Sequence, residues 1–519
     1  MKGAVDLAQI VELVQLRPKT IVFIDDNHGN RVEAAHMVPG LEVWDDRRIT
    51  EILTSTLFSG KDDGKLSRLA QYKILEQKER EKQSFESNVE GFLKSSNIIV
   101  EMDYNVDQHI ARIVELINRT SQLNFTKLRL PDDPVEAELE LRREMNASYG
   151  RRVAVVKVKD RFGDYGVVGF WMMDGVWGNS YLIHFAFSCR TIGMGVEQWV
   201  YHRLGKPYLN IVGEVVAVLD FDPDWINMQD QNRGEGEAEQ RAIRSVRLRG
   251  GCELEVMKHF FSVGAKHLHS ELVYMRGIQT IWNSNVATLF PSDNMNDEGG
   301  QDALARIGLT REDFRTQFLD DCDQRTLLVL SNSFDPFARL YRHRALGFIV
   351  PIFVFGTEHI TELSEEQLSA FFERVNYGSA QKAQFMAIRR ELSENYTLVE
   401  QPFDYLEGLY HRLITNVPKN TLLVFLLPPT FAPRVSGVVV MKEQIEINTR
   451  IRNVSESMRN VRVVDMADSV TSITQMQTYS NLHFHREAYH DIYLAITKTY
   501  SEWLAAELHG KSLLEHGDG

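Results

Sequence analysis

Two adjacent aspartates, Asp25 and Asp26, end the apolar run TIVFI at residues 20 to 24. Carboxylates delivered to the C-terminal edge of a buried parallel strand commonly hold magnesium or serve phosphate chemistry. A second group lies in DRFGDYG and SCRTIGMGVE, which supply Asp160, Arg161, Asp164, Ser188, Cys189, Arg190, Gly193, Gly195 and Glu197. The latter stretch reads as a strand running into a helix, where free amides and Arg190 favour an anion. Cys189, at a helix start beside an arginine, is either an activated acyl acceptor or a buried structural thiol. The third group is in SVRLRGGCELEVMKHFF, where Gly250, Gly251 and Cys252 form a strand-to-helix turn of the kind that exposes a nucleophile. His483 and His485 precede the last helix and offer a base, and Asn332 or Ser333 in SNSFD offers oxyanion donors.

Such groups need strands to carry them. VDLAQIVELVQL has helical spacing and TIVFI follows as a strand, with EVWDD at 42 to 46 as a candidate second strand. Residues 66 to 97 are charged and helical, and EQKEREK reads as a solvated face with i,i+4 ion pairs. DQHIARIVELINRTS, residues 107 to 121, is another amphipathic helix. From Arg152 onward RVAVVKV, GVVGFWMM and YLIHFAFS alternate apolar and polar residues between glycine and aspartate turns, predicting an antiparallel sheet followed by the helix GVEQWVYHRL. DPDWINMQDQNRGEGEAEQR at 222 to 241 has no apolar periodicity and reads as the main linker. TLLVLS and TLLVFLL are continuous apolar runs suited to a sheet covered on both faces. With NVRVVDM and the helix EAYHDIYLAITKTYSEWLAAEL they predict a three-layer α/β body.

The totals narrow the function classes. A chain of 519 residues exceeds a single core, and a formal charge of -14 argues against nucleic-acid or anionic-membrane binding. No apolar run reaches the length of a membrane span, and the N-terminus is an amphipathic helix rather than a signal peptide. Three cysteines without pairing symmetry or zinc spacing favour a reducing cytoplasm.

IVFIDDNHGNRVEAAHMVPGLEV resembles the FkbH-like branch, subfamily IIIC, of the haloacid-dehalogenase-like (HAD) superfamily. Asp25, Asp26, Asn27 and Arg31 match its pattern, Asn30 stands at its glutamate position, and Lys2 corresponds to its phosphate-binding lysine. Arg68 and Tyr72 of RLAQYK match a further element, and NRTSQLNFTKLR matches another with Ser121 replacing asparagine. KDRFGDYGVVG and SCRTIGMGVE are similar to the family's acetyltransferase-like (GNAT-like) part. The resemblance covers residues 1 to about 215. It implies an enzyme that loads a glyceryl or other acyl group, as a thioester, onto an acyl carrier protein in polyketide or related biosynthesis. The family's Asp-x-Asp element does not precede Asp25. The expectation is therefore that a partner chain supplies that half, that it is vestigial, or that the start is truncated. Magnesium would bind only once the half is complete. Residues 242 to 510 resemble SGNH/GDSL-type hydrolases, which places Cys252 as nucleophile and His483 as base, with Ser480 where the family has aspartate. Asp465 and Asp468 are read as strand-end and turn residues.

The expected architecture is α/β multidomain: a partial HAD-like (Rossmannoid) segment with a helical extension at 1–130, a GNAT-like α+β domain at 131–225, a linker at 226–241, and an SGNH-like α/β/α domain at 242–519. The expected function is acyl or glyceryl handling with a carrier-protein thioester, Cys189, Arg161, Arg190, Gly193 and Gly195 forming its cradle. The alternatives are an esterase or O-acyltransferase using Cys252 and His483, and a non-catalytic scaffold completing a partner chain.

Overall fold

The structure is a computed structural model. It describes residues 7, 10–11, 18–58, 64, 66–85, 88–176, 178–228, 243–281, 286–323, 325–337, 339–354, 356–357, 359–434, 437–477 and 480–515. The chain is mixed α/β, with separate parallel and antiparallel sheets.

At the N-terminal end, β1 (Val22–Ile24) and β2 (Glu42–Trp44) pair in parallel, joined by α1 (His28–Met37). Among the described residues this sheet has these two strands. A small cluster of Ala34, Val38, Leu41 and Val11 packs beneath it. The charged stretch forms α2 (Ser67–Ser84).

The second body is a five-stranded sheet. Its strands are β3 (Ile98–Asp103), β4 (Arg152–Asp160), β5 (Gly163–Asp174), β6 (Tyr181–Phe187) and β7 (Ile226–Met228), in the order β6-β5-β4-β3-β7. Pairing is antiparallel from β3 to β6 and parallel between β3 and β7. Helices α3 (Ile110–Arg119) and α4 (Pro134–Met145) lie between β3 and β4 in sequence, and α5 (Val196–Arg203) follows β6. The expected boundary at 130/131 therefore cuts this sheet, and the expected linker begins inside β7. IIVEMD is short and flanked by helices, so its strand character comes from the RVAVVKV ladder across from it rather than from local pattern.

The C-terminal body holds β8 (Ser245–Gly250), α6 (Cys252–Gly264), β9 (His267–Leu272), β10 (Thr326–Ser331), α7 (Pro402–Asn416), β11 (Leu422–Leu427), α8 (Lys442–Ser455), β12 (Val461–Asp465) and α9 (Arg486–Glu515). Its sheet runs β12-β11-β10-β8-β9, and every neighbouring pair is parallel. Alternate residues of β10 and β11 face opposite layers. Leu327, Val329, Val424 and Leu426 pack with residues of α6 and α9. Leu328, Leu330, Leu423 and Phe425 pack with residues of α7 and α8. Burial on both faces is why these strands are continuously apolar. An antiparallel three-stranded sheet (349–352, 339–343, 396–398) is inserted between β10 and β11.

The strand order reverses between β8 and β10. In doubly wound sheets the crevice at that reversal, outside the carboxyl ends of the strands, is where ligands bind. The two large bodies meet through Tyr104, whose hydroxyl lies 3.1 Å from His259 Nε2, and through Asp107, which accepts 2.6 Å hydrogen bonds from Arg142 and Arg486.

Candidate functional site

The aspartate pair sits where the sequence predicts, at the end of β1. Asp25 is already engaged: it accepts from the Asn27 amide at 2.8 Å and from Asn30 Nδ2 at 3.1 and 3.2 Å. Asn30 thus serves as a partner to Asp25. Arg31 ties the turn together through the carbonyls of Asp25 and Asp26 and an ion pair with Asp45 at 3.0 Å. No group of three His, Cys, Asp or Glu side chains able to hold a metal ion together occurs among the described residues. Lys2 lies outside the described residues.

The residues of DRFGDYG and SCRTIGMGVE separate into two places. Arg161 pairs with Glu81 at 2.7 Å and lies over the Phe162 ring, while Asp160 takes Lys78 Nζ at 2.9 Å and the Tyr165 hydroxyl at 2.8 Å. The DRFGDYG turn is thereby fastened to α2. Asp164 accepts from the Gly166 amide within the same turn. Ser188 caps the short turn of Cys189–Thr191 and also accepts from Arg190 Nε at 3.2 Å. Cys189 is half-buried, and burial pushes its thiol up. Gly193 and Gly195 take left-handed φ of 76° and 83°, which turns the chain into α5. The anion cradle expected there is filled by the chain itself. Pro223 and Trp225 pack on Gly195, and Trp225 Nε1 donates to the Met194 carbonyl at 2.9 Å. Burial raises Glu197 to about 7.

Cys252 and His483, 231 residues apart in sequence, come together. Sγ lies 2.9 Å from His483 Nε2. Cys252 opens α6 directly after β8, so it stands at the sheet's reversal point. The turn demands its glycines: a Cβ on Gly251 would lie 2.5 Å from Phe334 and 2.7 Å from Ser333 Oγ. One on Gly250 would lie 2.8 Å from Ser331 Cβ. Cys252 is 8% exposed, and burial raises its thiol far above the ordinary value, with the neighbouring Glu253 adding to the effect. The amides of Cys252 and Glu253 at the helix start oppose this and favour the thiolate. Burial also lowers His483, to about 4. The resting pair is a neutral thiol beside a neutral imidazole. With its proton on Nδ1, the ring presents Nε2 as the acceptor for the thiol proton.

No carboxylate pairs with His483 among the described residues. Ser480, at the aspartate position of the resemblance, accepts the Leu482 amide instead. What holds the ring is Tyr149, stacked on it at 3.8 Å between centroids with 6° between planes. Tyr149 belongs to the loop between α4 and β4 of the second body, so the site is shared between two bodies. Nothing local in SYGR announces this role, which only tertiary packing creates. Glu253, also missed by the sequence reading, is buried behind the turn, where it accepts from Ser333 Oγ at 2.9 Å and from the Gly251 amide at 3.2 Å.

The side chains expected as oxyanion donors are thus committed. Ser333 serves Glu253, and Asn332 Nδ2 donates to Asn448 Oδ1 at 3.1 Å, which Gln444 Nε2 also reaches at 2.9 Å. The helix-start amides of Cys252 and Glu253 remain as the donors nearest the sulfur. His485 lies 3.3 Å from Gln477 Nε2. Asp465 caps the following turn and pairs with Arg452, as a strand-end residue should. No helix among the described residues is long and apolar enough to cross a membrane.

Comparison with family models, with curated proteins and with solved structures finds no match.

Proposed function

We propose that the chain is an FkbH-like biosynthetic protein that takes an acyl or glyceryl group from a carrier-protein thioester onto Cys252. The observation that carries this is the 2.9 Å approach of Cys252 Sγ to His483 Nε2 at the sheet's reversal point. In the transfer, His483 Nε2 takes the thiol proton as Sγ attacks the thioester carbonyl. The amides at the start of α6 receive the developing oxyanion. Collapse breaks the bond to the carrier sulfur, which leaves with the proton held on Nε2. A new thioester on Cys252 and a free carrier thiol result. In this reading the C-terminal body is the SGNH-like domain and the second body the GNAT-like one, whose glycine turn is structural. Doubly wound strand order and the β–α–α–β–β–β–α succession support those assignments.

Intact-protein mass after incubation with an acyl-pantetheine thioester tests the proposal. The expected adduct disappears in Cys252→Ala and persists in Cys189→Ala. An adduct that survives Cys252→Ala, or no adduct with any acyl donor, refutes it. An adduct that water discharges in minutes would favour the esterase alternative.

A further inference from the structure

A cleft of about 790 Å³ lies between the second body and α6, beginning one helical turn from Cys252. Its α6 wall is Glu255, Lys258, His259 and Ser262, and the facing wall includes Arg152, Ser180 and Lys206. Arg152 opens the strand that follows Tyr149, so the loop that covers His483 continues into the cleft wall.

The charge is unbalanced. Among the described lining residues Arg152, Lys206 and Lys258 stand against one carboxylate, Glu255, with Asp174 also acting on Arg152, and Lys206 and Lys258 form no ion pair among the described residues. Arg152 is 6% exposed; its Nη2 donates to the Gly175 carbonyl and Ser180 Oγ, while its Nε has no acceptor among the described residues. A buried guanidinium with a spare donor is costly unless something anionic meets it. Burial lowers Arg152 to about 10, with Asp174 and Glu255 acting in the opposite direction. His259 is held neutral by burial and the nearby Arg152.

We infer that this cleft is a phosphate-ester subsite, with Arg152 as its buried donor and Lys206 and Lys258 at its walls. This deepens the acyl-transfer reading and rests on it for the identity of the donor: a phosphate held here would lay the rest of an acyl donor along α6 towards Cys252. The phosphate belongs either to the arm of a carried thioester or to free phosphate.

Calorimetric titration of the full chain with 4′-phosphopantetheine, pantetheine and inorganic phosphate tests the inference. The phosphorylated arm is expected to bind at least about tenfold more tightly than pantetheine, the scale of one charge-assisted hydrogen bond. Lys258→Glu, a change at a half-exposed position, should abolish that preference, and Cys252→Ala should keep it. Competition by inorganic phosphate alone identifies free phosphate as the source; preference without competition identifies the arm. Equal affinity for the two arms overturns the inference, as does a preference retained in both Lys258→Glu and Lys206→Glu. If the preference holds in Cys252→Ala while the wild type forms no acyl adduct, the subsite stands and the acyl-transfer reading falls.

Discussion

Removing the Tyr149 ring should raise the basicity of His483. The depression of that imidazole to about 4 has one cause, burial, with no charged neighbour contributing. Relative to the ordinary histidine value of 6.5 this is a loss of proton affinity of about 3 kcal/mol. Tyr149 covers one of the ring's two faces at 3.8 Å. If each face accounts for about half of the desolvation, Tyr149→Ala restores about 1.4 kcal/mol, roughly one pH unit in the titration midpoint. Tyr149→Phe keeps the stacked surface and should leave the midpoint near its wild-type position. The assay is the pH titration of the His483 ring proton by NMR, assigned by its loss in His483→Gln. The reasoning is refuted if Tyr149→Ala leaves the midpoint unmoved, or if Tyr149→Phe shifts it equally. A parallel readout is alkylation of Cys252: the freed ring should make Tyr149→Ala alter the pH profile, whereas Tyr149→Phe should not.

Three further outcomes are expected. His483 and His490 are both held neutral down to about 4 by burial, while their unfolded counterparts take protons near 6.5. Folded stability should therefore fall as pH drops from 6.5 to 4, by about 3 kcal/mol for each ring, and urea unfolding should show a flatter pH dependence in His483→Gln and in His490→Gln. Gly251→Ala should cost about 1–3 kcal/mol through overpacking against Phe334 and Ser333, read as a lowered melting temperature, with acyl-adduct formation reduced as Cys252 shifts. Glu253 is raised by burial, so its ionisation opposes folding as pH rises; Glu253→Gln should gain stability relative to wild type as pH rises above the ordinary glutamate value of 4.5, and an unchanging difference would contradict that.

The Cys252–His483 pairing is legible through the resemblance to SGNH-type hydrolases, supported by a Gly-Gly-Cys turn after the alternating stretch SVRLR and a histidine just before a long terminal helix. The strands β10 and β11 are legible as unbroken apolar runs, whereas β8, β9 and β12 carry charged residues within them. The strand Ile98–Asp103 is not legible locally: it lacks a clear alternation of its own and gains its place from the ladder with β4. The glycine turn at Gly193 and Gly195 was located correctly, but its covering by Pro223 and Trp225 depends on a segment about thirty residues away that reads as linker. Asn332 and Ser333 were correctly placed at the end of the central strand. Their commitment to Asn448 and Glu253 is a property of packing that spacing does not encode.

Tyr149 gives the boundary between the bodies an unusual character. A fragment beginning at residue 243 would retain the parallel sheet, Cys252 and His483, yet its histidine would be bare on one side. Anyone transplanting the C-terminal body into another protein would need to bring the loop at 146–152 with it. Here the body that carries the thiol and imidazole and the body that covers the imidazole do not coincide.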